Sequence, residues 1–200
     1  MKKFLQKLWH KVSSRYFWRN NRKRFLLISG GIAIVAMMLV LLIGGQRDIG
    51  TQEAGHQLNL LAQNIRRHYK TKPDFWGLDT HKVIEDKVYP SSMTIEGDVL
   101  KGYFGTPATV GSNLNGTPVM PSGKQFVIAY HDLSKLQCLE LGSYKFNSDF
   151  WFGVTKMVLS NSTITQEFEW GSDGFGLPAK KTKLKQLCRP QNNIIAFYFE

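Results

Sequence analysis

The chain has 200 residues and a formal net charge of +11, from 26 Lys and Arg against 15 Asp and Glu. That length allows one domain of ordinary size plus an appendage. Nine of the basic residues fall within residues 1–24, which hold no acid, so the remainder carries 17 basic groups against all 15 acidic ones. The basicity therefore belongs to a tail, and it does not mark the folded part as a nucleic-acid binder.

Within the tail, Leu5, Leu8, Trp9, Val12 and Tyr16 recur at helical spacing, flanked by Lys3, Lys7, Lys11 and Arg15. Two readings stand side by side. One is a basic helix lying on an anionic lipid leaflet, each charge contributing about 1 kcal/mol near the surface. The other is a solvated positive flank that happens to contain aromatics. No specific nucleic-acid partner is expected.

The stretch "FLLISGGIAIVAMMLVLLI", Phe25 to Ile43, is 19 residues without a charge. At about 1.5 Å per residue a helix of that length nearly crosses a ~30 Å hydrocarbon core. It predicts a single transmembrane helix over 25–45, held in the bilayer by Phe25, Leu26, Ile34, Met38, Leu42 and Ile43. A cleaved signal peptide would have a shorter apolar region and a small-x-small site, for which "LIGGQRD" is a poor match. The reading is an uncleaved anchor. Nine basic residues precede the span and only Arg47 lies just after it. Basic flanks stay in the cytoplasm, so residues 1–24 are expected inside and 46–200 outside. In a bacterium that places the domain in the periplasm, anchored in the inner membrane, where disulfides are permitted.

Beyond the span, Ala54, Leu58, Leu61, Ile65 and Tyr69 fall at steps of three and four. They predict an amphipathic helix that stops before Pro73. "DTHKVIEDKVYP" predicts a short helix capped by Asp79 or Thr80 and ended by Pro90. Phe75 and Trp76 are expected to pack at the intervening turn. From about residue 93 the period changes to strand-like runs split by Gly, Pro, Asn and Ser. Among them "DLSKLQCLELGSY" reads as a helix with Leu133, Leu136 and Leu139 or Glu140 on one face. Ser134 or Asp132 would cap its start, and Gly142 would close it as a C′ residue. "PAKKTKLKQLC" predicts a last short helix and "NIIAFYFE" a last strand. In that strand Ile195 and Phe197 should face one side, and Ile194, Ala196 and Tyr198 the other. The class is α+β: a membrane helix running into an amphipathic helix packed on a mostly antiparallel sheet.

Catalytic and metal-binding patterns are not found. His10, His56, His68, His81 and His131 form no convincing ligand spacing, so no metal and no cofactor are expected. His131 with Cys138 is a poor nucleophile–base pair. "GSDGFG" lacks the Lys-Ser/Thr of a phosphate loop and reads as a turn. "EFEW" reads as an exposed acidic edge. "NGT" at 115 and "NST" at 161 match the glycosylation triplet, which is common by chance. In "NSDFWFG" the aromatics Phe150 and Trp151 are candidate partner contacts, with core packing as the ordinary alternative.

The order of parts resembles the type IVb pilins, and within them the thin-pilus (PilS-like) pilins of conjugative plasmids. The membrane helix leads into an amphipathic helix. "VYPSSMTIEGDVLKGYFGTPATVG" is similar to the family's Pro-x-x-Met segment and Gly-rich turn. "KQFVIAYHDLSKLQCLEL" is similar to its strand and Cys-bearing helix, and "KQLCRPQNNIIAFYFE" to its second Cys, Asn pair and closing strand. The resemblance implies a Cys138–Cys188 disulfide, and two cysteines in an oxidising compartment agree with it; two separate buried thiols are the alternative. It also implies assembly with other pilin or secretion-machine subunits and a structural, non-enzymatic role.

One departure matters. Such pilins are cut after a leader Gly, leaving an apolar helix with Glu at its fifth position. Here a cut after Gly31 would put Ala36 there, and a cut after Gly30 would put Val35 there. The apolar run holds no acid. The expectation is a pilin-like inner-membrane subunit not processed as a standard major pilin. The alternatives are a non-pilus envelope component of a type IV secretion system and, remotely, a membrane-tethered hydrolase.

Overall fold

The computed structural model describes residues 35, 37, 38, 50, 52–114, 117, 118, 123–145, 153–172 and 174–200. The chain divides into two units, Met1–Arg47 and Asp48–Glu200. Of the first, Val35, Met37 and Met38 are helical and exposed. The basic tail, and the anchor residues Phe25, Leu26, Ile34, Leu42 and Ile43, lie outside the described residues. So do Phe150 and Trp151. Among the described residues no helix is long and apolar enough to cross a membrane.

The second unit begins with helix α1, residues 52–69. Ala54, Leu58, Leu61, Ala62, Ile65 and Tyr69 are buried in the main core, as their spacing predicts. The buried arc is wider than that spacing suggests, because Gln57 and Asn59 are buried too. Helix α2, Thr80–Glu85, follows. Asp79 caps it, accepting a hydrogen bond from the Lys82 amide at 2.7 Å.

Seven strands then form one sheet in the order β1-β2-β3-β6-β9-β7-β8. They are β1 Thr94–Glu96, β2 Val99–Lys101, β3 Pro107–Gly111, β6 Phe126–Leu133, β7 Val154–Ser160, β8 Thr165–Glu169 and β9 Asn193–Phe199. Every pairing is antiparallel. A separate two-stranded ladder joins β4 (Asn113–Leu114) to β5 (Thr117–Pro118). Two more helices interrupt the strands, α3 Lys135–Gly142 and α4 Lys181–Leu187.

The alternation of β9 sorts its side chains as the pattern predicts. Ile195, Phe197 and Phe199 enter the main core, and Ile194, Ala196 and Tyr198 join a small cluster with Val127, Ala129 and Val158. The last strand in sequence is an inner strand of the sheet. It pairs with β6 on one side and β7 on the other, so the β7–β8 hairpin reaches the rest of the sheet only through β9. Arg66 of α1 lies over the rings of Phe126 and Phe199, at 5.9 and 5.8 Å, and donates to the main-chain oxygen of Glu200. A cation on aromatic faces thus ties α1 to the ends of β6 and β9.

Three local expectations need correction. Trp76 packs only in part, 50% exposed with its ring against Gly123, whereas Phe75 packs 4.7 Å from the Phe126 ring. In α3, Leu136 is 50% exposed, whereas Leu133 before the helix and Leu139 and Glu140 within it are buried, together with Cys138, Leu141 and Gly142. The helix is short and held from its C-terminal half, so its first turn, where Leu136 lies, stays at the surface. Gly142 is the last helical residue and not a left-handed C′ residue; Ser143 is the cap. Its reason is space. A Cβ there would lie 3.1 Å from Leu184 Cδ1 and 3.3 Å from Ile195 Cδ1.

Candidate functional site: the disulfide-closed C-terminal region

Cys138 and Cys188 are bonded, with S–S 2.00 Å and Cα atoms 6.1 Å apart. Cys138 lies inside α3 and Cys188 is the C-cap of α4. Both are buried. The bond closes 50 residues of chain, which include all of β7 and β8. A loop of that size stabilises by up to about 4 kcal/mol through lost chain entropy in the unfolded state.

A polar hub lies beside the bond. Asn193, fully buried at the start of β9, donates through Nδ2 to the carbonyls of Leu133 and Arg189, both at 2.8 Å. Its Oδ1 accepts from the Arg189 amide at 2.8 Å and from Asn161 Nδ2 at 3.4 Å. Asn161 Nδ2 also donates to Leu187 O at 3.1 Å. The Lys135 amide donates to Pro190 O at 3.1 Å. The turn between Cys188 and β9 is therefore fastened to both α3 and the β7–β8 side. Asn192 completes it with φ +58°, a left-handed conformation that Asn adopts more readily than most residues. At the head of α3, Ser134 and Gln137 form a reciprocal capping box.

On either side of the buried stripe of α1, Gln57 Nε2 donates to Ser92 O at 2.9 Å, and Asn59 Nδ2 donates to Tyr144 OH at 3.3 Å. These two residues hold the segment before β1 and the segment after α3 against the helix. Sequence reasoning missed them because polar residues on a helix are assigned to water by default. The signal that distinguishes them is the tertiary partner, which lies 35 and 85 residues away.

Two surfaces stand out. The β1–β2 hairpin at one edge of the sheet exposes Ile95, Val99 and nearby Tyr103. At the start of α1 an open groove of about 1230 Å³ runs between Glu53 and His56, the segment after α3, and a wall formed by Ser172, Gly174 and residues 176–181. Lys145, Lys180 and Lys181 line it.

The chemistry-bearing candidates are not assembled for catalysis. Cys138 is held in the disulfide, and His131 Nε2 is 2.7 Å from Thr109 Oγ1 on the neighbouring strand. Among the described residues no group of three His, Cys, Asp or Glu is placed to hold a metal. Within "GSDGFG", Gly171 and Gly174 have positive φ, as turn residues do. Glu167 and Glu169 are exposed on the edge strand β8, while Phe168 between them is buried. Asn161 of the "NST" triplet is engaged in the hub just described.

A long helix laid on one face of an antiparallel sheet, with a C-terminal region closed onto it by a disulfide, defines a pilin-type structural subunit. Residues 50–169 match the family model described as PilS N terminal, and the chain belongs to that family. The fold is similar to that in the crystal structure of TcpA, a type IV pilin from Vibrio cholerae El Tor biotype. The two share 13% identity at a TM-score of 0.50, over 76% of this chain and 99% of that one. No curated protein matches the chain. Family and fold are those of structural pilins, not of enzymes.

Proposed function

We propose that this chain is a single-pass inner-membrane subunit whose pilin-type domain stands in the periplasm, serving a type IVb pilus or a related secretion or conjugation machine. The observation that carries the reading is the mismatch between its two parts. The outer domain is of the PilS type, yet the apolar run Phe25–Ile43 contains no acid to pair with a neighbouring subunit's new N-terminus. A subunit without that acid serves better as a fixed base or scaffold than as a repeating unit of the filament. The nine basic residues before the run support an inside tail, and an anionic lipid surface is a fitting partner for it. The Cys138–Cys188 bond supports an oxidising compartment for the domain.

Protease added to spheroplasts tests the topology. The domain should be degraded while a membrane-bound fragment carrying the tail survives. Complete resistance that disappears on lysis would place the domain inside and end the proposal.

The same missing acid favours a second reading, a non-pilus envelope component of a type IV secretion system that uses the fold without filament docking. Co-purification separates the two. Recovery with a pilin-assembly platform supports the first, and recovery with an envelope core complex supports the second.

A further inference from the structure

The C-terminal region carries a concentration of positive charge that neither the fold nor the disulfide requires. Between residues 174 and 199 stand Lys180, Lys181, Lys183, Lys185 and Arg189, with no acid among them. None of the five forms an ion pair among the described residues. Leu184 is the buried residue of α4, packed against Gly142; Lys181 and Lys185 are left to the surface, and Lys183 is half-buried with its ammonium 5.3 Å from the centre of the Phe175 ring. Lys180 and Lys181 stand on the groove described above and Lys145 on its facing wall, with the hydroxyl-bearing Ser143 and Ser172 beside them. The one opposing charge among the described lining residues is Glu53. The Ser143 hydroxyl is spent on the Leu139 carbonyl at 2.6 Å, so the lysines carry the attraction. Three ammonium groups around an open groove suit an anionic surface, and a phosphodiester headgroup brings one negative charge and two free oxygens to accept from them.

We propose that this groove binds the phosphate headgroups of anionic phospholipid in the membrane that anchors the chain. The proposal rests on the anchor reading above. Its occupant is argued from charge complementarity and from chain length. Gln52, on the groove, follows Ile43, the end of the apolar run, by only about nine residues, a reach of at most roughly 30 Å even if fully extended. Headgroups add several ångströms beyond the hydrocarbon. The groove is thus tethered close to the leaflet from which the chain emerges, and a basic surface held there is drawn to an anionic one. The bound state is the unassembled subunit leaning on its membrane.

The test uses the full chain in nanodiscs of phosphatidylcholine alone, or with about one third phosphatidylglycerol, and measures lysine acetylation by mass spectrometry. Lys87 and Lys124, which do not line the groove, serve as internal controls. Phosphatidylglycerol should slow labelling of Lys145, Lys180 and Lys181 by at least about threefold, and about 0.5 M salt should restore it. Equal rates in the two discs, with the chain inserted, would overturn the inference. Protection by a short DNA duplex but not by phosphatidylglycerol would also overturn it and assign a nucleic-acid partner instead. If the chain fails to insert, the anchor reading fails by itself. Labelling is then repeated with free phosphatidylglycerol vesicles, where protection still supports headgroup binding and its absence overturns it.

Discussion

Asn193 Nδ2 donates to the carbonyl of Leu133 at 2.8 Å, bridging 60 residues of sequence. Leu133 ends β6 and Asn193 begins β9, just past the last regular pair of that ladder, Tyr130 with Ile195. Leu133 and Asn193 are themselves partners beyond an irregularity in the ladder, and the side-chain amide reinforces that end. The same side chain satisfies both the amide and the carbonyl of Arg189, so one buried residue takes part in four hydrogen bonds. Asn193→Ala should cost about 2–4 kcal/mol, because buried backbone groups lose their partners together. Asn193→Asp should be no better, since a carboxylate cannot donate to the two carbonyls. Urea denaturation followed by circular dichroism measures both. A loss below about 0.5 kcal/mol for the alanine variant would remove the hub from this account.

The disulfide should act mainly on the unfolded chain. Replacing Cys138 and Cys188 together by Ser should lower stability by about 2–4 kcal/mol while leaving the far-ultraviolet spectrum intact. Reductant should produce the same shift in the wild type and none in the double variant. A wild type indifferent to reductant would mean that the 50-residue loop contributes little.

Much of this region was legible in the sequence, and the limits have physical causes. Alternation in "NIIAFYFE" sorted the faces of β9 correctly, because a strand buried on both sides still obeys a period of two. Alternation says nothing about neighbours, so the place of β9 between β6 and β7 was not readable. The pairing of the two cysteines came from the resemblance and not from spacing. Leu136 misled because a Leu at helical spacing looks like core, yet the face a short helix buries is set by where it is held. Gln57, Asn59 and Asn193 were invisible as structural residues because their partners lie far away in sequence.

Gly102 has a reason that only tertiary structure supplies. A Cβ there would lie 2.3 Å from Cε1 and 2.9 Å from Cδ1 of the buried Tyr130 ring. Gly102→Ala should therefore destabilise the domain by about 1–3 kcal/mol, as overpacking does. Tyr130→Phe should not rescue it, because the clashing atoms are ring carbons that Phe retains. Full rescue by Phe would show that the hydroxyl, not the ring, sets the constraint. Thermal melts of the single and double variants measure it.

His131 gives the domain a pH dependence of definite sign. Burial of its imidazole lowers its pKa from the ordinary 6.5, with nearby Asp132 opposing the shift. The folded chain therefore holds this proton less tightly than the unfolded chain. Above about pH 6.5 both states are neutral at this position and the contribution is complete. As pH falls through that value the unfolded chain takes up the proton first, and stability declines towards the folded pKa. The melting temperature of the wild type should fall more between about pH 7.5 and 5.5 than that of His131→Gln. Parallel curves would assign the pH dependence to other groups.

We propose above that a PilS-type domain is carried here on an anchor that stays whole. The most direct test is the N-terminal sequence of the protein purified from native membranes. An uncleaved anchor should leave a chain that still carries the basic residues ahead of Phe25. A native protein beginning at Gly31 or Ile32 would mean that it is cut like an ordinary pilin, and would contradict the fixed-anchor reading.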